Sequence, residues 1–324
     1  MKLRLLVFAA AAALAAGCGP RQGRASATAS APVRDFPVSQ IPAMYTEAAD
    51  RQAYATDHYW DRFFSGGEGF RCDSLTVMGV SRDKLEEHFS TYVAILEAQD
   101  VQAGRRGIGS LFSKVEAAQS ADSLSNVLEV FSWLAEHYLY DPNSPFRSED
   151  LYLPYVKGLA ESPLTDPDQA PSYAFTARMC AMNAIGTPAA DFAFKDNAGR
   201  TRRLYDIRAG HTLLFFSNPG CEACKEIMET LTSMAFLPGM ISDGRLAVVN
   251  VYIDGDIQAW KDYQSFYPRE WFNGYDPDGI IRQDLLYHVR AIPSLYVLDA
   301  DKRVIMKDAP EERVFAFLES MRRD

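Results

Sequence analysis

Residues 211–228 read HTLLFFSNPGCEACKEIM, and the fold turns on them. His211–Phe216 is a short apolar run fit for a buried strand. Ser217, Asn218, Pro219 and Gly220 interrupt it with turn-forming residues. A helical stretch, Lys225 to Met234, follows. Cys221 and Cys224 therefore stand at a strand-to-helix junction. There the unpaired amides and the dipole of the helix favour an anion. A thiol in that position titrates nearer ~7 than the ordinary 8.5. One turn on, Cys224 can attack a mixed disulfide formed at Cys221 and release the product. This spacing makes Cys221 the candidate nucleophile and Cys224 the candidate resolving thiol.

Other chemistries of a Cys-x-x-Cys pair fit less well. A zinc site needs two further ligands at close spacing, and only the isolated Cys72 and Cys180 are available. Attachment of c-type haem needs His after the second cysteine, where Lys225 stands. A purely structural bridge three residues long on a helix would be strained and reducible. A peroxidatic site would carry Pro and Thr or Ser where Leu214 and Asn218 stand. No metal and no cofactor is expected. Cys72 and Cys180 read as two buried free thiols, and their pairing is left open by sequence separation alone.

Downstream, Leu246–Ile253 and Ser294–Leu298 read as further buried strands. Arg303–Met306 reads as an edge strand after the turn at Asp299–Lys302, and Glu311–Arg322 as a closing helix. Strand, helix, strand, helix, then a strand pair and a helix describe an α/β sheet. Upstream, from Met44 to Asn183, the apolar period is helical. Leu85, Phe89, Tyr92 and Leu96 form one buried stripe. Leu124, Val127, Leu128, Phe131, Ala135 and Tyr138 form another, with Asp122 or Ser123 as its cap. A third helix is expected over Ser172–Ala184. His58, His88 and His137 have no metal-ligand spacing. Gly66-Gly67-Glu68-Gly69 lacks the Lys-Ser/Thr and the preceding strand of a phosphate loop. The aromatic stripes read as core packing.

The chain has 324 residues, enough for two domains, with ordinary globular composition: 48% hydrophobic and 23% charged. Its net charge of −10 repels a phosphate backbone, so no nucleic-acid partner is expected. Lys2 and Arg4 followed by the apolar run Leu5–Ala16 have the shape of a secretory signal, too short to span a bilayer. It ends Leu14-Ala15-Ala16-Gly17-Cys18, which resembles the lipobox of bacterial lipoproteins, with Ala15 where that family usually has Leu. The resemblance implies cleavage before Cys18 and lipidation of Cys18; cleavage near an Ala-x-Ala with a free Cys18 is the alternative. The expected organisation is a signal peptide over 1–17, a flexible Gly/Ser/Ala/Pro-rich linker over 18–43, a helical domain over 44–182 and an α/β domain over 183–324.

Residues 186–324 resemble the thioredoxin superfamily, specifically the TlpA/ResA-like envelope thiol–disulfide oxidoreductases. Gly186-Thr-Pro-Ala-Ala-Asp191-Phe192 leads into an N-terminal hairpin, then come the apolar strand and the cysteine pair. Leu286-Tyr287-x-Val289-x-Ala291-Ile292-Pro293-Ser294 completes the match. The resemblance implies a thioredoxin-like fold with a central mixed sheet and a cis proline at Pro293 facing the cysteines. It also implies substrate contact through Ile292, Gly220 and Pro219. The chain departs from thioredoxins in three places. Gly220 stands where Trp is usual, Phe215 replaces a buried Asp, and the helix lacks a proline past Cys224. Water and Glu226 are then the candidate proton acceptors for Cys224. The helical domain resembles modules found ahead of thioredoxin domains in envelope lipoproteins.

The expected activity is thiol–disulfide exchange in the bacterial cell envelope, lipid-anchored and periplasm-facing. Protein disulfides would be the substrates and an upstream envelope dithiol the electron donor. The alternative is a non-catalytic adaptor whose helical domain binds a protein or glycan.

Overall fold

Leu246–Tyr252 is apolar at six of its seven positions and buried at every one, so it must lie inside a sheet covered on both faces. A computed structural model describes residues 33–67, 70 and 73–322. Its strands are β1 (Thr76–Val77), β2 (Val80–Ser81), β3 (Ala193–Asp196), β4 (Thr201–Arg203), β5 (His211–Phe216), β6 (Leu246–Tyr252), β7 (Phe272–Tyr275), β8 (Ser294–Leu298) and β9 (Val304–Met306). β1 and β2 form a small ribbon, and the other seven form one sheet in the order β4-β3-β7-β6-β5-β8-β9. β6 runs parallel to β5 and β7, while β5–β8, β8–β9, β3–β7 and β3–β4 are antiparallel. This is the mixed sheet, with an N-terminal hairpin, that the sequence led us to expect.

The period of two in β5 divides its side chains between two cores. Leu213 and Phe215 join one cluster with Val248, Leu295 and the inward face of α8 (Glu222–Ser233). Leu214 and Phe216 join the opposite cluster with Phe192, Phe194, Tyr287 and Tyr296. The closing helix, Glu311–Met321, seals the first cluster through Val314 and Leu318.

Ahead of the sheet lie α1 (Ala48–His58), α2 (Asp61–Ser65), α3 (Arg82–Glu97), α4 (Val101–Ala121), α5 (Val127–Leu139), α6 (Glu149–Glu161) and α7 (Ala170–Ala181). Their core centres on Trp60, which meets the rings of Phe36, Tyr92 and Phe131 edge-on at 5.6, 5.6 and 5.2 Å. Such edge-to-face pairs are each worth about 0.5–1.5 kcal/mol beyond area burial. Asp100 caps α4 by accepting from the amides of Gln102 and Ala103. α4 packs closely on α6 because Gly158 has no side chain: a Cβ there would lie 2.3 Å from the Phe112 ring. Across the described residues, helices and sheet form one compact unit. Among the described residues no helix is long and apolar enough to cross a membrane.

Four local expectations are corrected. The stretch expected to be a flexible linker up to Ala43 is pinned from Arg34 onward. The Arg34 guanidinium donates to the carbonyls of Met78 and Phe63, and Phe36 is buried in the helical core. A lone aromatic carries no period, so the sequence pattern missed it. The second helical stripe begins at Val127 and not Leu124, which is 89% exposed. Asp122 does not cap α5; it accepts from the Leu124 amide and turns the chain ahead of the helix. The third helix spans Ala170–Ala181, two residues earlier at its start than expected.

Candidate active site

β5 carries the chain to the sheet end where the site forms. Past Phe216, Ser217 is buried and donates its hydroxyl to Asn250 Oδ1 on β6. Asn218 donates its side-chain amide to Asp254, whose carboxylate lies 2.7 Å from Arg282. Gly220 then takes φ +74°, with open space around it, so its glycine is required by backbone conformation and not by crowding.

Cys221 is the N-cap of α8, and its Sγ accepts from the Cys224 amide at 3.2 Å. The two sulfurs are joined in a disulfide with Cα atoms 5.2 Å apart. Cys221 is half-buried beside the exposed Gly220, Glu222 and Ala223, whereas Cys224 is 1% exposed and packs inward. An incoming sulfur can thus reach Cys221 but not Cys224. Glu222 faces solvent and pairs with Lys225 at 3.2 Å, which raises the Lys225 pKa through that hydrogen bond. Glu226 is exposed, two residues along the helix from the inward Cys224, so the two groups lie on different faces. It is therefore not placed to take the Cys224 proton.

The Ile292–Pro293 bond is cis. The register Phe216↔Ser294 sets Pro293 at the sheet end where β5 delivers Cys221. Ile292 and Cys221 pack against the same core cluster. Ser294 donates to Asp308 Oδ1 at 2.7 Å, and burial raises the Asp308 pKa. The structure therefore brings Pro219, Gly220, Cys221, Cys224, Ile292 and Pro293 to one end of the sheet.

Cys18 and Cys72 lie outside the described residues. Cys180 is fully buried and unbridged, and burial pushes its thiol up to about 12. His58 pairs with Asp61, His88 with the Tyr59 hydroxyl, and His137 stacks on Trp133. Among the described residues no three His, Cys, Asp or Glu gather in a way that could hold a metal ion.

Sequence reasoning missed two polar groupings. Behind the cysteines, Asn250 donates to Asn273 at 3.1 Å, and Asn273 to the Pro268 carbonyl at 2.7 Å. The signal was visible, since Asn250 is the sole polar residue of β6. The second grouping joins Glu149 of α6 to Arg290 and Lys307 beside β8 and β9.

A family described as a domain of unknown function, DUF5106, matches residues 18–182. The chain belongs to the DUF5106 family. Its sheet region has the thioredoxin-like fold. A thioredoxin-like protein from Bacteroides caccae is similar over 89% of this DUF5106 chain and 99% of its own, with 29% identity and a TM-score of 0.76. The C-terminal domain of an uncharacterized protein from Bacteroides fragilis is 39% identical over 42% of this chain and 98% of its own, with a TM-score of 0.41. A domain of a possible thiol-disulfide isomerase from Cytophaga hutchinsonii is 26% identical over 44% of this chain and 96% of its own, with a TM-score of 0.37. No curated protein matches the chain.

Proposed function

We propose that the protein exchanges protein disulfides through Cys221 and Cys224. One observation carries the reading: a disulfide links a reachable N-cap sulfur to a buried sulfur one turn further on. In the reduced protein the Cys221 thiolate attacks one sulfur of a substrate disulfide and expels the other as a thiolate. The mixed disulfide is then attacked at Cys221 Sγ by the Cys224 thiolate. This closes the internal bridge and releases the second substrate thiolate. A dithiol donor of the envelope restores the reduced pair by the reverse chemistry. The backbone beside Ile292 and Pro293 would receive the substrate as an added strand, with Gly220 and Pro219 at its other side. With Glu222-Ala223 and no imidazole between the two cysteines, the direction is reducing or isomerising and not strongly oxidising.

The lipobox-like Gly17-Cys18 supports a lipid anchor for this activity in the bacterial envelope, facing the periplasm. In the native host Cys18→Ala should leave the detergent phase into which wild type partitions; equal partitioning would remove the anchor. The exchange itself is tested by trapping. Cys224→Ser should accumulate mixed disulfides at Cys221 in cells, resolved by dithiothreitol and lost in Cys221→Ser/Cys224→Ser. Absence of such adducts would count against exchange.

A second reading, a non-catalytic adaptor, draws support from Trp133. It is 52% exposed on α5 and stacked on His137 beside a groove that Tyr140 and Arg290 also line. An aromatic patch of this kind suits a protein or glycan partner.

A further inference from the structure

The segment Tyr287–Ser294 that carries Ile292 and Pro293 is gripped from outside the sheet. His288 Nδ1 and Arg290 Nε lie 3.1 and 2.9 Å from Glu149 Oε1, at the first turn of α6. The Arg290 guanidinium also donates to the Tyr140 carbonyl, sits 4.1 Å over the Tyr140 ring and lies 3.3 Å from Asp308 Oδ2. Lys307 Nζ is 2.7 Å from Glu149 Oε2 and donates to the Cys180 carbonyl at 2.7 Å. Asp308 closes the circuit by accepting from Ser294, the residue after Pro293. The Glu149 and Lys307 side chains are each 1% exposed. Burial alone would raise the Glu149 pKa, but His288, Lys307 and Arg290 outweigh it and hold the carboxyl below its ordinary value.

Stability is a poor explanation for this cluster. Apolar residues of the same volume often hold a buried interface at least as well as ions do, and fixing a register is the better-attested use of buried charge. A second ion pair between the helices and the sheet region, Arg313–Glu97 at 2.9 Å, is partly exposed and reaches nothing near Pro293. Glu149 differs because three of its partners' side chains belong to, or flank, the segment beside Cys221.

We propose that Glu149, together with Tyr140, is a positioning residue. It fixes the Ala291–Pro293 backbone at the height where a disulfide-bearing chain lies against Cys221, so the helical domain is part of the substrate site. The proposal rests on the exchange reading above and gives the helical domain a role within it.

The test compares Glu149→Gln, Tyr140→Leu and Arg313→Ala in the purified full chain in detergent. Insulin is the disulfide substrate, and hydrogen exchange is read across Tyr287–Ser294. Glu149→Gln should raise KM on the order of tenfold, about 1.4 kcal/mol, with kcat and the midpoint potential of the cysteine pair unchanged. Amide exchange across Tyr287–Ser294 should quicken. Tyr140→Leu should act in the same direction and more weakly, and Arg313→Ala should do neither. A folded Glu149→Gln protein with wild-type KM and wild-type protection overturns the proposal. If Glu149→Gln does not fold, the half-buried Tyr140→Leu is judged by the same two readings. A wild type that never turns over insulin removes the exchange reading instead, and hydrogen exchange then decides the positioning role alone.

Discussion

Cys180 in α7 and Cys221 ahead of α8 carry the same atom in opposite surroundings. Cys180 lies among the side chains of the helical core, where burial pushes its thiol up to about 12. Cys221 takes the N-terminus of a helix at a loop open to solvent, with its partner sulfur one turn away. The contrast extends to the regions around them. The helical region closes an aromatic core around Trp60 and directs one of its buried charges, Glu149, toward the sheet. The sheet region covers both faces but leaves the end of β5 open. On the proposed exchange reading, reactivity follows from where an element ends, and the proposed role of Glu149 is to hold that end in place.

The largest effect that could break this comparison lies in the two cores. Phe131→Ala in the helical core and Phe215→Ala under α8 should each cost about 3–5 kcal/mol. Because helices and sheet form one compact unit, both should move the same single urea transition, followed together by circular dichroism and tryptophan fluorescence. Two separated transitions would mean that the regions unfold independently, and the coupling through Glu149 would be too weak to matter.

A smaller effect sharpens the electrostatic side. The cysteine pair should show a midpoint between about −200 and −280 mV in glutathione buffers, the span of glutaredoxin- and thioredoxin-like couples. Glu222→Gln removes a negative charge beside the Cys221 thiolate, stabilises the reduced form and should raise the midpoint by less than about 30 mV. Glu222 is exposed and paired with Lys225, so the shift should shrink further in high salt. A wild-type midpoint near −120 mV would recast the protein as a disulfide donor.

The smallest expected effect is none at all. At pH 8, iodoacetamide should leave Cys180 untouched in the native protein while labelling Cys221 once the bridge is reduced, because the thiolate is the reacting form. Labelling of Cys180 at the same rate would erase the contrast between the two sulfurs.

Much of the sheet region was legible because its signals are local. Four consecutive apolar residues, a turn and two cysteines three positions apart define β5 and α8 within 18 residues, and Ile292-Pro293-Ser294 marks the start of β8. β7 was not legible: Phe272–Tyr275 is four residues long and contains Gly274, too little for a period. α6 was obscured by Pro154 in its interior, which reads as a helix breaker. The Glu149 cluster was invisible for a different reason. Its members are separated by 139 residues or more between α6 and His288, so no spacing rule connects them. Phe36 was read as linker because one buried ring leaves no pattern.

The most direct test of the central claim is dithiothreitol-driven reduction of insulin by the purified full chain, set against Cys221→Ser at equal concentration. Wild type should accelerate turbidity onset well above the uncatalysed rate, and Cys221→Ser should return it to that rate. Identical progress curves for the two proteins would contradict dithiol exchange and leave the chain an adaptor on a thioredoxin-like scaffold.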